Sequence, residues 1–494
     1  MHQTPKINKF LRRNGTKILP VIAVSIILFF AANTKLPDTE TLHMLGYMLP
    51  IWSILPFVGI LLSIAFIPHV NHHFWERHRL SIAIMWALIY IIPFAIFFGA
   101  AEAVFMFLEV ILLEYLPFLI LLWGLFTVSG GIVIKGNLAG TPKGNLLILV
   151  IGTAIASWIG TTGASMLLIR PLLKANKWRE NKVHSVMFFI FLVSNMGGCL
   201  TPIGDPPLFL GFLEGIPFFW PMKLLPMMLF NAVILLTLYF IIDSRSYKNE
   251  IAAGNKPIAK DFSTHTKIEG SYNFIYLAMI IGSVILSGGL ASNPAFLDES
   301  GKVLKGVHVY AGLVLPYTSI IQMTITIIAG ILSLRTTKKE LYEANHFTWG
   351  PIKEVAELFF GIFVAMSPAL AILHIRGAEL GLTEPWQFFW ATGSLSLFLD
   401  NAPTFMILLS LASSLGATTG VETALGIVAD NILIAISIGT IFFGAVTYIA
   451  NAPNFMVRSI SIENKVKMPS FLGYMGKALI ILFPLFFLDM IVFL

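Results

Sequence analysis

The chain has 494 residues, of which 57% are hydrophobic and 12% are charged, and its formal net charge at pH 7 is +6. A soluble domain carries about 25% charged residues, so this composition excludes an ordinary soluble protein and predicts an all-α, polytopic protein of the lipid bilayer. The positive charge does not indicate nucleic-acid binding, because Lys and Arg concentrate in short loops between apolar segments. The single cysteine, Cys199, excludes an internal disulfide and a cysteine-based metal cluster.

The N-terminal segment, 1–46, contains five basic residues followed by an apolar run at 18–32. This order is typical of a secretory signal peptide, and the run of about 15 residues is short for a spanning helix. A retained signal-anchor helix at 18–33 is the alternative. Both remain open at this stage.

Long apolar segments after this region predict the spanning helices. They lie at 47–68, 80–99, 115–134, 183–200, 217–242, 271–290, 307–334, 351–372, 424–444 and 471–494. Two further pairs of apolar segments are too short for each member to span alone, and they predict re-entrant hairpins at about 144–173 and 386–415.

Each hairpin precedes a helix that is interrupted by Gly, Pro and Asn, at about 183–215 in one half and 424–457 in the other. The same order in both halves predicts two inverted repeats, 47–242 and 271–494, which a polar cytoplasmic linker at 243–270 joins. The predicted cytoplasmic loops contain 21 of the 32 Lys and Arg residues, as the positive-inside rule requires. A transport site is expected at the membrane midplane between the repeats.

Polar residues at the hairpin turns and helix breaks are the candidate ion- or substrate-binding residues, because broken helices expose carbonyl groups for cations and N-termini for anions. They are Thr161, Thr162, Ser165, Ser194, Asn195, Thr201, Asp205, Asp400, Asn401, Thr404, Asn451 and Asn454. Asp205 and Asp400 are the candidate proton carriers, since carboxylates held away from water can exchange protons near neutral pH and can also bind a small cation. Helix capping is the alternative role for each acid. No catalytic residue, resident metal or cofactor other than a coupling ion, sodium or proton, is expected.

Two fragments carry a family resemblance, Thr201-Pro-Ile-Gly-Asp-Pro-Pro207 and Leu399-Asp-Asn-Ala-Pro-Thr404. They resemble the ion transporter superfamily, which includes NhaD-type sodium/proton antiporters and CitMHS-like citrate transporters. The resemblance covers about 144–210 and 386–460, and it implies two hairpins, two interrupted helices, elevator-like alternating access and a homodimer formed through the scaffold. The first hairpin turn, Gly160-Thr-Thr-Gly163, departs from the Asp-Asn pair of antiporter-like members and is similar to the carboxylate carriers.

The two intramembrane acids favour a sodium/proton antiporter of the bacterial inner membrane, in which Asp205 and Asp400 alternate between proton and cation. The alternative is a sodium- or proton-coupled transporter of citrate or another dicarboxylate, in which Thr161, Thr162, Asn451 and Asn454 would bind carboxylate oxygens. An intramembrane aspartyl protease is disfavoured, because Pro202 breaks the Gly-x-Gly-Asp pattern that such an enzyme would have around Asp205.

Overall fold

The computed structural model describes residues 45–135, 140–255, 267–291, 293–298, 304–345, 347–397 and 399–494. The predicted helix at 18–33, and with it the choice between a signal peptide and an anchor, lies outside the described residues.

The first half of the chain is helical apart from one short strand. Its elements are α1 (Leu55–Val70), α2 (His72–Phe97), α3 (Ala100–Glu109), a π-helical turn (Val110–Tyr115), α4 (Leu116–Gly130), β1 (Val133–Lys135), α5 (Pro142–Ile159), α6 (Thr161–Ala175), α7 (Val183–Leu192), α8 (Pro206–Leu213) and α9 (Leu225–Ala252). Short 3-10 turns lie at Ile51–Ile54, Met196–Gly198 and Trp220–Leu224.

The second half is also mainly helical and contains two β-hairpins. Its elements are β2 (Lys267–Glu269), α10 (Asn273–Ala291), β3 (Gly306–Tyr310), β4 (Leu313–Pro316), α11 (Tyr317–Thr336), α12 (Lys339–Ala344), α13 (Gly350–Arg376), α14 (Pro385–Ser396), α15 (Asn401–Ser413), β5 (Val421–Thr423), β6 (Gly426–Val428), α16 (Asp430–Gly444), α17 (Ala452–Glu463) and α18 (Phe471–Phe493). Two 3-10 turns lie at Pro294–Phe296 and Gly377–Leu380. Strands β1 and β2 pair antiparallel, as do β3 with β4 and β5 with β6.

Within the described residues, nine helical segments are long and apolar enough to cross a membrane. They are Ile51–Pro68, His73–Phe97, Ala100–Gly130, Pro142–Ile159, Trp220–Ala252, Asn273–Ala291, Tyr317–Thr336, Gly350–Leu380 and Phe471–Phe493. The predicted all-α, polytopic membrane protein is therefore confirmed. The prediction that neither arm of the first hairpin could span alone is wrong for Pro142–Ile159, because its helix starts two residues before the predicted hairpin and reaches 18 residues. Helices α7 and α16 are shorter, because each ends at a break inside the molecule.

Several predicted helix boundaries differ from the structure, three of them at a β-hairpin or at the predicted linker. The span predicted at 307–334 begins at Tyr317, because 306–316 form a β-hairpin whose turn residues, Ala311 and Gly312, both have positive φ as a type I′ turn requires. The span predicted at 424–444 begins at Asp430, after the β5–β6 hairpin. Helix α9 continues to Ala252, ten residues into the predicted linker.

The extension of α9 has a clear cause, because Asp243, at the start of this extension, is buried and paired. Asp243 is fully buried and forms an ion pair with Arg179, while His184 Nε2 lies 2.8 Å from its Oδ1 and Asn145 Nδ2 donates to its Oδ2 at 3.2 Å. A polar stretch that finds these partners does not have to leave the helix to reach water.

Hairpin 1 (α5 and α6) turns at Gly160, whose φ of +79° favours glycine. Hairpin 2 consists of α14 and α15. The second arm of each hairpin packs against the helix that follows the break of the opposite half: α6 packs against α17, and α15 packs against α8. This reciprocal packing is what two equivalent halves related by a two-fold axis would produce.

The core lies around the two breaks. Helices α7, α15 and α16 are buried on almost every side, whereas α1, α2 and α18 expose large apolar residues. The first break packs tightly on itself, since a Cβ atom on Gly204 would lie 2.0 Å from the carbonyl oxygen of Gly198. Glycine at this position therefore allows the backbone segments of the break to approach each other closely.

Candidate functional site at the helix breaks

Four helices begin at one point in the interior of the molecule. Helices α6 and α15 begin at the hairpin turns, with Thr161 and Asn401, and α8 and α17 begin directly after Asp205 and Asn451. The side chain of Asp205 is hydrogen-bonded to the side chains of the other three residues. Each helix N-terminus carries a partial positive charge. Four such charges therefore surround one carboxylate.

The two halves contribute to this point in the same way. In hairpin 1 the N–H of Thr161 donates to the carbonyl of Gly204 at 2.8 Å, and in hairpin 2 the N–H of Asn401 donates to the carbonyl of Ala450 at 2.9 Å. The residues that follow these carbonyls, Asp205 and Asn451, share a φ of −143° and ψ values of 142° and 133°. Thr161 is therefore equivalent to Asn401, and Asp205 is equivalent to Asn451.

Asp205 is 1% exposed and accepts hydrogen bonds on both carboxylate oxygens. Thr161 Oγ1 and Asn451 Nδ2 each donate to Oδ1 at 2.9 Å, and Asn401 Nδ2 donates to Oδ2 at 3.4 Å. Its side chain does not cap α8, so the capping alternative does not describe it. In the part of the chain that the structure describes, no Lys, Arg or His forms an ion pair with this carboxylate.

The oxygen and nitrogen of the Asn401 amide can be placed in two ways, and the surrounding donors and acceptors favour the second. In the first, its nitrogen donates to Asp205, and its oxygen accepts from Ser396 Oγ at 2.6 Å. In the second, its nitrogen donates to Ser396 Oγ at 2.6 Å, to the carbonyl of Thr440 at 3.2 Å and to that of Ala450 at 3.0 Å. The second orientation turns Oδ1 toward the carboxylate, where two oxygens can face a cation or share a proton.

Asparagines also connect the two breaks to each other. Asn195 Nδ2 donates to Asn454 Oδ1 at 2.8 Å, and Asn451 Nδ2 lies 3.2 Å from Asn195 Oδ1. Asn454 Nδ2 donates to the carbonyls of Gly444 and Thr447 at 2.7 and 2.9 Å. These bonds satisfy backbone carbonyls that the end of α16 leaves without a helical partner.

The remaining predicted site residues lie near this centre without contacting the Asp205 carboxylate. Ser165 and Ser194 share a hydrogen bond of 2.8 Å between their hydroxyls. Thr201 donates to the carbonyl of Ser157, and Thr404 donates to that of Asp400 at 2.9 Å. Thr162 is half-buried in the first turn of α6.

Asp400 differs from Asp205 in its environment. Its side chain accepts the backbone N–H of Ala402 at 3.0 Å and so caps α15, and the residue is half-buried. Asp400 therefore makes the capping contact that was its alternative role. Of the two acids, Asp205 is the one that belongs to the central hydrogen-bond network.

Two serines that sequence reasoning did not select support the site. Ser157 Oγ donates to the carbonyl of Gly197 at 2.5 Å and accepts the N–H of Leu200 at 2.9 Å. Ser396 Oγ contacts Asn401 and the carbonyl of Thr440. Ser157 lies four residues before Thr161 and Ser396 lies five residues before Asn401, each on the first arm of a hairpin, and this similar placement is a signal that could have identified them.

The comparisons with known proteins agree with the resemblance. Residues 46–494 match a family model, CitMHS_2, that is described as "putative citrate transport". The match covers nearly the whole chain. The search of curated proteins found no match.

Proposed function

We propose that this chain, which belongs to the citrate transport family CitMHS_2, is a secondary active transporter that moves citrate or another small carboxylate together with a cation. The observation that carries the proposal is the meeting of four helix N-termini at one buried carboxylate with no basic partner among the described residues. The family description supports the alternative drawn from the sequence, citrate transport, rather than sodium/proton antiport.

The anionic substrate would be held by hydroxyl, amide and backbone donors. Helix N-termini attract anions without a formal positive charge, because their first N–H groups are unpaired and the helix dipole is positive there. The turn at Gly160 and Thr161 brings one such end to the centre, and the turn at Asn401 brings another. This arrangement resembles the midplane sites that discontinuous helices form in other transporters.

The cation would be held at Asp205. An ionised Asp205 repels a carboxylate substrate, and a bound sodium ion or proton removes that repulsion. The Asn401 amide can follow this change, because its second orientation presents an oxygen toward Asp205 and keeps its nitrogen hydrogen-bonded. Coupling then follows from electrostatics, since the substrate binds well only when the cation is present.

Sodium/proton antiport is the second candidate, and the observation that favours it is the Asp205 carboxylate, which has no basic partner among the described residues. Competition between sodium and a proton for that one carboxylate would suffice for exchange. The version that uses two acids requires Asp400 to leave its capping contact with Ala402.

We further propose that the protein lies in a bacterial inner membrane as a homodimer and works by alternating access. The C-terminal ends of α6 and α17 would face the cytoplasm, since both helices are followed by segments rich in Lys and cytoplasmic loops carry an excess of Lys and Arg. We call this end of the molecule the basic side.

The test is uptake of labelled citrate into proteoliposomes under a sodium gradient and, separately, under a proton gradient. We expect gradient-dependent uptake that Asp205→Asn abolishes. Asp430→Asn is the matched control, because it removes an exposed carboxylate that is paired with Lys223 far from the centre. Sodium-driven proton release in the same vesicles, without carboxylate uptake, would instead establish antiport.

A further inference from the structure

Two arginines lie in α6 and α17, which start at the centre around Asp205 and end on the basic side. Arg170 is in α6, nine residues after Thr161, and Arg458 is in α17, six residues after Ala452. At a rise of 1.5 Å per residue, they lie about 13 Å and 9 Å along their helices from the centre. Helices α6 and α17 pack against each other, so both side chains belong to one helix pair on one side of the site.

Each guanidinium has a buried N–H group without a hydrogen-bond acceptor. These atoms are Arg170 Nη1 and Arg458 Nε. Arg458 lies over the ring of Tyr448, 5.0 Å from its centroid. Glu463 acts on Arg170 electrostatically, yet within the described residues no acid forms an ion pair with either arginine. A buried, charged donor without an acceptor is costly, so the two side chains are suited to an anionic ligand.

At the two equivalent positions of the other half, both among the described residues, the side chains carry no charge. Because Thr161 is equivalent to Asn401, the position equivalent to Arg170 is Ser410, whose hydroxyl donates to the carbonyl of Leu370 at 2.8 Å. The position equivalent to Arg458 is Phe212, which stacks on neighbouring aromatic rings. Two arginines at these places are therefore not a requirement of the fold, and they distinguish the basic side from the other side.

We propose that Arg170 and Arg458 form a second carboxylate-binding site, on the path between the Asp205 centre and the basic side of the membrane. The inference rests on the proposed function and names residues that bind the same substrate class, small dicarboxylates and tricarboxylates. Arginine suits this role because its planar guanidinium can donate two parallel hydrogen bonds to one carboxylate group. The site would capture substrate at, or release it to, that side only.

The experiment measures citrate KM separately from each face, in right-side-out and inside-out vesicles, for the double variant Arg170→Gln/Arg458→Gln. We expect KM from the basic side to rise about tenfold or more, since charged hydrogen bonds are lost, and KM from the other side to change less than about twofold. Arg170→Lys/Arg458→Lys should recover part of the affinity, because it keeps the charge. Arg335→Gln is the control, as it removes an exposed arginine from α11.

An unchanged KM on the basic side, or an equal rise on both sides, would overturn the inference while leaving citrate transport in place. Thermal stabilisation of the detergent-purified protein by citrate, succinate or inorganic phosphate separates the inference from the proposed function. If neither citrate nor succinate is transported, but succinate stabilises the wild type and not the double variant, the arginine site stands and the proposed transport function fails. Protection by phosphate or by phosphatidylglycerol vesicles alone shows a phosphate site, and the inference is then wrong.

Discussion

Replacement of Asp205 by asparagine and by alanine separates the charge of this residue from its hydrogen bonds. Both variants remove the negative charge, so both should lose cation-coupled uptake. The asparagine oxygen can still accept from Thr161 and Asn451, which donate to Oδ1 at 2.9 Å in the wild type. Its new nitrogen would face the Asn401 amide, and that amide can turn because three other acceptors surround it.

Alanine at position 205 leaves two buried donors, Thr161 and Asn451, without their acceptor, whereas the Asn401 amide can turn to other acceptors. A buried donor that loses its partner costs about 1–3 kcal/mol. Asn451 keeps weaker contacts at 3.2 Å to the carbonyl of Ser194 and to Asn195 Oδ1, so the second donor loses less than the first. We therefore expect Asp205→Ala to be less stable than Asp205→Asn by about 1–3 kcal/mol.

The assay compares thermal unfolding of the two purified variants in one detergent, beside citrate uptake in proteoliposomes. The difference between the variants is informative because the loss of charge is common to both. Equal unfolding temperatures for the asparagine and alanine variants would refute the hydrogen-bond assignment. Gradient-driven uptake by Asp205→Asn at the wild-type level would refute the role of the charge.

Three further predictions concern the break, the cap and the buried ion pair. Gly204→Ala should destabilise the protein by about 1–3 kcal/mol or prevent folding, since its Cβ atom would overlap the backbone of Gly198. Gly282→Ala is the control: its Cβ atom would meet nothing within 4 Å, so the unfolding temperature should be nearly unchanged. Asp400→Asn should keep cation-coupled uptake, because the asparagine oxygen can still cap α15. Asp400→Ala should lose about 1 kcal/mol of stability. Abolished uptake in the asparagine variant would show that Asp400 is a proton or cation carrier. Asp243→Asn should lower the free energy of unfolding by about 3–5 kcal/mol, because Arg179 is left buried without its charge partner, and denaturant unfolding in detergent measures this loss.

Membrane location and the position of the helix breaks follow from the sequence alone, because their causes are local. Lipid cannot hydrogen-bond to peptide groups, so long apolar segments must be helices. The prolines at 206 and 207 and the glycines at 197, 198 and 204 prevent a continuous helix at this place. Such features depend only on residues that are neighbours in the sequence, so the sequence is sufficient to find them.

The difference between the two acids was decided by tertiary structure. Asp205 and Asp400 have the same side chain and both lie beside a proline-containing turn, yet one is held by Thr161, Asn401 and Asn451 and the other caps its own helix. The bond between Asp205 and Asn451 joins residues 246 positions apart. No local pattern specifies such a contact, because it depends on how the two halves pack.

The same reason explains the boundaries that sequence patterns placed wrongly. Polarity at 243–252 predicted a linker, but burial of Asp243 against Arg179 and His184 keeps this stretch helical. Sequence polarity shows that a residue needs a partner, whether water, an ion or another side chain. Only the packed structure determines which partner it has, and therefore which polar residues remain available to bind a substrate.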